Sequence, residues 1–141
     1  MVQGTYSRPA IALLALLVSF LAGISGCGNS GKTSVTGEVK VNGQPFKPQP
    51  PKEQMSLSYV PEDAPSKSYP AAIDSDGKFK VDDGTGQGIP PGKYKLVVQL
   101  GNAGPGGFTD RFGNAYSAQK TTLRHEVSAS NSTIKLDLIA K

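Results

Sequence analysis

The apolar positions of this chain follow two patterns. From Ala10 to Ile24 they run together without a charge (AIALLALLVSFLAGI), and after Ser34 they come singly, at every second residue. Period-two alternation marks strands with one face buried. Val35, Gly37, Val39 and Val41 share one face, with Thr36, Glu38 and Lys40 on the other. Asn42-Gly43 follows, the strongest short hairpin signal, because both residues accept positive φ. Gln44 to Phe46 begin the return, with Phe46 as a core anchor. Met55, Leu57 and Tyr59 form a second alternating set, Ala71 to Ile73 a short one, and Phe79 and Val81 a third. The best strand is Tyr94, Leu96, Val98 and Leu100, launched by Pro90-Pro91-Gly92. Leu123, His125 and Val127, then Ile134, Leu136 and Leu138, complete the series.

The intervening stretches are turns and loops. KPQPPKE (Lys47 to Glu53) has three prolines and cannot pair as a central strand. Pro61 to Pro70 is polar and proline-punctuated, DSDG (Asp74 to Gly77) is a turn, and Gly101 to Gln119 is long and irregular. The chain has 17 Gly and 11 Pro and shows no amphipathic helix. About seven short strands with turn punctuation predict an all-β fold, a single antiparallel β-sandwich.

The apolar run has the length of a signal-peptide core and is short for a membrane span. Pro9 precedes it, and Gly23, Ser25 and Gly26 close it. Ile24-Ser25-Gly26-Cys27 resembles the lipobox of bacterial lipoproteins: an aliphatic residue, two small residues, then cysteine. That resemblance implies a helical signal peptide over 1–26, cleavage before Cys27, and acylation of Cys27 as the mature N-terminus. Two or three acyl chains anchor durably where one is marginal. Residues 27–33 then read as a polar flexible tether, and 34–141 as the sandwich domain. Gly28 after the cysteine lacks the aspartate associated with inner-membrane retention in some bacteria. This favours a cell-envelope location at the outer membrane, facing the periplasm or the surface.

Composition narrows the function. The chain of 141 residues carries a net charge of +4. Without residues 1–26, which include Arg8, 115 residues remain with 14 basic and 11 acidic side chains, a net +3. The lysines are scattered singly, so nucleic acid is not an expected partner. Cys27 is the only cysteine, which excludes an intramolecular disulfide and cysteine-based metal sites. Gly26 to Thr33 (GCGNSGKT) matches the phosphate-loop pattern letter for letter. That loop needs a strand before it and a helix after it. Here a period-two strand follows, so no nucleotide is expected.

Three pieces in order, VTGEVKVNGQPF (35–46), DSDGKF (74–79) and IPPGKYKL (89–96), resemble the carboxypeptidase regulatory-like, transthyretin-like domain. The resemblance covers about residues 34 to 100, and the tail from Arg111 through Leu138 is also similar to small lipoproteins of this kind. It implies a seven-stranded Greek-key sandwich used as a structural, adhesive or carbohydrate-facing module, with no peptidase activity. Its motifs are turn and core residues, so they specify fold better than function.

Candidate chemistry is sparse. His125 is the only histidine, flanked by inward-facing Leu123 and Val127, and no nucleophile motif accompanies it. Zinc hydrolase chemistry needs more ligands than one histidine. Asp74, Asp76, Asp82 and Asp83 form one carboxylate cluster along the chain, but their spacing fails the EF-hand pattern and Asp-Gly is an ordinary turn. No metal or cofactor is therefore expected. The Gly101–Tyr116 loop carries Phe108, Asp110, Arg111, Phe112 and Tyr116. Its rings either stack on a sugar or peptide or fold back over one end of the core. The sequence thus predicts a non-enzymatic, lipid-anchored envelope protein, with a carbohydrate- or peptide-binding module using this loop as the alternative. The expected partners are the membrane, through Cys27, and an envelope protein or glycan.

Overall fold

The computed structural model describes Met1 and residues 31–49, 53–104 and 107–141. The leader, the lipobox residues Ile24, Ser25, Gly26 and Cys27, and most of the tether lie outside the described residues.

Nine strands and no helix make up the described chain: β1 (Val35–Val41), β2 (Gln44–Pro45), β3 (Gln54–Pro61), β4 (Tyr69–Ile73), β5 (Lys78–Val81), β6 (Gly92–Gly104), β7 (Gly107–Asp110), β8 (Arg124–Val127) and β9 (Thr133–Leu138). They form one continuous sheet that curls so that its two halves enclose the core. In the first half β1 is central. β9 lies on one flank, while β5 and the short β2 share the other. In the second half β6 is central, with β3 on one flank and β7 and β8 on the other. β4 joins the halves: Tyr69 and Pro70 pair with β3, and Ala71 to Ile73 pair with β5.

The order β5-β4-β3-β6 places a fourth strand beside the first of three consecutive antiparallel ones, which is a Greek key. One pair departs from the antiparallel expectation. β9 runs parallel to β1, in register from Thr36↔Thr133 to Val41↔Leu138. Alternation marks which face is buried, and both strand directions satisfy it equally.

The core follows the alternation closely. Val35, Val39, Leu57, Tyr59, Phe79, Val81, Tyr94, Leu96, Val98, Leu100, Leu136 and Leu138 are all buried, as is the predicted anchor Phe46. The Asn42-Gly43 hairpin takes φ of 52° and 77°, as a two-residue turn of this type requires. Gly77 sits immediately before β5, beside the segment that follows β2 on the same flank of β1. Its φ is +77°, and an added Cβ would strike the Phe46 carbonyl. The Gly77 carbonyl accepts from Val39 N at 2.8 Å, and the Val39 carbonyl accepts from Phe46 N at 2.9 Å. The DSDG turn therefore does more than reverse the chain, since it completes the hydrogen bonding of the central strand.

The ends of the sandwich carry different material. The starts of β1, β6 and β9 and the ends of β3, β5 and β8 meet at one end. With them come residues 31–33, 62–68, 82–91 and 128–132. The opposite end holds the Asn42-Gly43 hairpin, the Asp74–Gly77 turn, the segment from Gly101 to Phe112 and the C-terminal residues.

Candidate functional site

The Gly101 to Gln119 segment is more ordered than its composition predicts. Gly101 to Gly104 extend β6, and Gly107 to Asp110 return as β7. From Arg111 onward the backbone lies along the open flank of β6. Arg111 N donates to the Leu100 carbonyl at 2.7 Å. Val98 N donates to the Tyr116 carbonyl at 3.0 Å, and Leu96 N to the Leu123 carbonyl at 3.2 Å. This segment is a run of turns bonded partly within itself, as from Gly113 N to the Asp110 carbonyl and from Ala115 N to the Phe112 carbonyl, and it covers the flank of β6 between β7 and β8 at these three points.

Its side chains divide accordingly. Phe112 is fully buried in the core, and Tyr116 packs edge-on against it with ring centroids 5.0 Å apart. The Tyr116 hydroxyl accepts from Ile139 N at 3.0 Å, which ties the C-terminal residues over the same end. Asp110 Oδ1 accepts from Leu100 N and Phe112 N, and Oδ2 from Asn114 N, so this carboxylate organises the turn. Arg111 forms an ion pair with Glu53 across the surface. Phe108 alone of the five remains an outward ring, 49% exposed. Within the candidate binding set Phe108, Asp110, Arg111, Phe112 and Tyr116, Phe112 closes the core, Asp110 and Tyr116 brace it, and Phe108 and Arg111 stay at the surface. A buried Phe removes far more apolar area from water than one stacked on a solvated sugar.

The Asp74–Asp83 carboxylates are not a cluster. Strand β5 separates Asp74 and Asp76, at one end of the sandwich, from Asp82 and Asp83 at the other. Asp74 Oδ1 accepts from Asp76 N and Lys78 N, both at 2.9 Å, and Asp82 Oδ1 from Gly84 N at 2.7 Å. Asp83 binds Thr85 and pairs with Lys32. Among the described residues, no three His, Cys, Asp or Glu side chains converge on a metal-sized site.

Lys32 and Thr33 are the described positions of the phosphate-loop pattern that carry chemistry. Both are used by the fold. Lys32 pairs with Asp83, and Thr33 exchanges two backbone hydrogen bonds with Ile89, at 2.7 and 2.9 Å. Strand β1 follows, where a phosphate loop needs a helix. Thr33, assigned to the tether by composition, is part of the sandwich.

His125 lies on β8 with its ring inside, 5% exposed. Its Nδ1 shares a 3.1 Å hydrogen bond with the Tyr59 hydroxyl, and Tyr59 also packs against Tyr94. Nε2 meets no hydrogen-bond partner among the described residues. Burial lowers the His125 pKa; Asn131 lies near enough to oppose this without reaching hydrogen-bond geometry at Nε2. Burial likewise raises the Tyr59 pKa. Both shifts keep the pair neutral and oppose its use for proton transfer.

This pair is expected to make the fold acid-sensitive. An unfolded histidine takes a proton near pH 6.5 and the buried one resists it, so acid favours the unfolded chain. Stability is expected to fall as pH drops below about 6.5, by at most about 1.4 kcal/mol per pH unit, until the lowered folded pKa is reached. Melting temperatures between pH 7.5 and 5 should show this slope in the wild type and a flatter one in His125→Gln. Equal slopes would assign the effect to other groups. Asp83 acts in a separate window: Lys32 and Thr85 hold its carboxyl down at about 2, so its contribution is lost only below about pH 4.

A cleft of about 390 Å³ lies at the end of the sandwich where residues 31–33 enter. Tyr69 and Tyr94 face each other edge to face in it, with centroids 6.1 Å apart. Pro61, Pro90 and Pro91 wall it, and Lys67 and Lys93 stand with Glu62 and Asp63 around it. The Tyr94 hydroxyl donates to the Pro90 carbonyl at 2.6 Å, and burial, with the charges of Tyr69 and Asp63, pushes its pKa up to about 12. The sequence reading missed this cleft because its residues come from three loop and strand ends that only the Greek key brings together. The remaining signal is a proline or tyrosine at each of those ends.

Fold and site define an all-β sandwich protein in which the candidate polar side chains His125, Asp110 and Lys32 are engaged within the fold. Comparison with family models, curated proteins and solved structures finds no match.

Proposed function

We propose that this chain is a lipid-anchored cell-envelope protein with a non-catalytic structural or binding role, joined to the bilayer through Cys27 and carrying one transthyretin-like sandwich. The carrying observation is the continuity between anchor and fold. An uncharged apolar run ends in Ile-Ser-Gly-Cys, and six residues later Thr33 is already hydrogen-bonded into the sandwich. A linker this short suits a domain held close to a membrane surface. The interior use of the polar side chains supports a non-catalytic role: His125 is consumed by Tyr59, Asp110 by backbone amides, and Lys32 by Asp83.

Metabolic labelling with a fatty acid tests the anchor. The wild type is expected to take up label and Cys27→Ser to take up none. A wild-type protein that matures without label would refute the proposal.

A further inference from the structure

We infer that the sandwich stands on the bilayer by one fixed end, the one that carries the Tyr69–Tyr94 cleft, and that the end carrying Phe108 points away from it. This rests on acylation of Cys27, and adds to it a defined membrane-facing surface.

The geometry follows from strand directions. Thr33 is bonded to Ile89, immediately before the Pro90-Pro91-Gly92 turn that starts β6. Gly88 lies so close to the Thr33 backbone that an added Cβ would overlap it, so the entering chain is clamped there. Lys32 is held a second time by Asp83. The chain therefore enters the fold among the 82–91 loop, the cleft and the start of β1, with no described segment carrying it toward the other end.

Length decides the orientation. Six residues, Cys27 to Lys32, separate the anchor from Thr33. Fully extended they reach about 20 Å. The paired strands β3 and β6 match over eight residues, Gln54↔Gly101 to Pro61↔Tyr94, or about 25 Å along the strand direction before end loops are added. A tether shorter than the body cannot let the far end touch the membrane while the near end points away.

The facing surface is mixed in charge. Lys67 and Lys93 stand beside Glu62 and Asp63, and Glu62 is paired with Arg124. Such a surface suits zwitterionic headgroups, and its approach is set by the tether rather than by attraction to anionic lipid. The cleft then opens at headgroup level. At the other end Phe108 and Ile139, two exposed apolar side chains, face the aqueous side.

Energy transfer to the membrane reads this directly. Acylated Cys27 has no free thiol, so a single probe can be attached at Gln87→Cys, beside the tether, or at Ser75→Cys, in the turn at the opposite end. Both positions are exposed. Lipidated full-length protein in phosphatidylcholine vesicles holding a short-range acceptor lipid is expected to show severalfold greater transfer from position 87. Equal or reversed transfer would overturn the inference. Inserting a 20-residue Gly/Ser segment between Gly31 and Lys32 should abolish the difference, since the tether then exceeds the length of the body. A difference that survived the insertion would show that the face itself binds lipid, and would overturn control by the tether. Mass spectrometry of the same samples reports acylation at Cys27, so a missing anchor is distinguished from a wrong orientation.

Discussion

Phe112→Ala is expected to destabilise the sandwich by about 3–5 kcal/mol, while Phe108→Ala, four residues earlier, changes stability by no more than about 0.5 kcal/mol. Phe112 is fully buried, and its ring supports Tyr116, whose hydroxyl holds Ile139. Truncation removes the buried ring, and the cavity cannot collapse easily because Asp110 fixes the backbone on both sides through Leu100, Phe112 and Asn114. Phe108 is half exposed on β7 and loses little on truncation. Urea unfolding of the two variants checks the contrast. A mild effect at Phe112 would mean that the 111–123 segment does not close the core, and the loop would again be available for ligands.

The second large effect is expected at Gly37, where substitution by Ala should cost about 3 kcal/mol or more and reduce the yield of folded protein. Gly37 lies in the central strand β1, paired with Phe79 on β5 and with Ile134 on β9. A Cβ there would overlap the Ile134 carbonyl on one side and the Phe79 ring on the other. Phe79 lies across the missing side chain, so the glycine is a packing position, and its backbone conformation is ordinary. Phe79→Leu in the Gly37→Ala background should recover part of the loss by freeing the ring's space. Recovery stays partial because the Ile134 carbonyl belongs to the β1–β9 pairing. Full recovery would show that the backbone clash is absent, and an unchanged midpoint for Gly37→Ala alone would contradict the packing described.

The strands and their buried faces were readable along the chain because burial alternates with period two whatever the partner strand. Val35, Leu57, Phe79, Leu96 and Leu136 are inside for that reason. The Asn42-Gly43 turn was equally legible, being a local backbone requirement. The Ile24 to Cys27 pattern on which the proposed anchor rests is also a property of contiguous residues.

What the sequence could not determine depends on contacts distant along the chain. The parallel pairing of β9 with β1 joins residues nearly a hundred positions apart. The segment from Arg111 to Leu123 shows no period-two alternation because it is a run of turns, and its three backbone hydrogen bonds to β6, at Arg111, Tyr116 and Leu123, join residues distant along the chain. Carboxylates close in sequence, at Asp74 and Asp83, were carried to opposite ends by one intervening strand. Residues distant in sequence, Pro61, Tyr69 and Tyr94, were brought into one cleft by the Greek key. Sequence alone determined which residues turn inward and where the chain reverses, because those depend on local geometry and solvation. Tertiary structure decided which aromatic rings remain free and at which end of the sandwich residues 31–33 enter it, because both depend on how the strands are ordered.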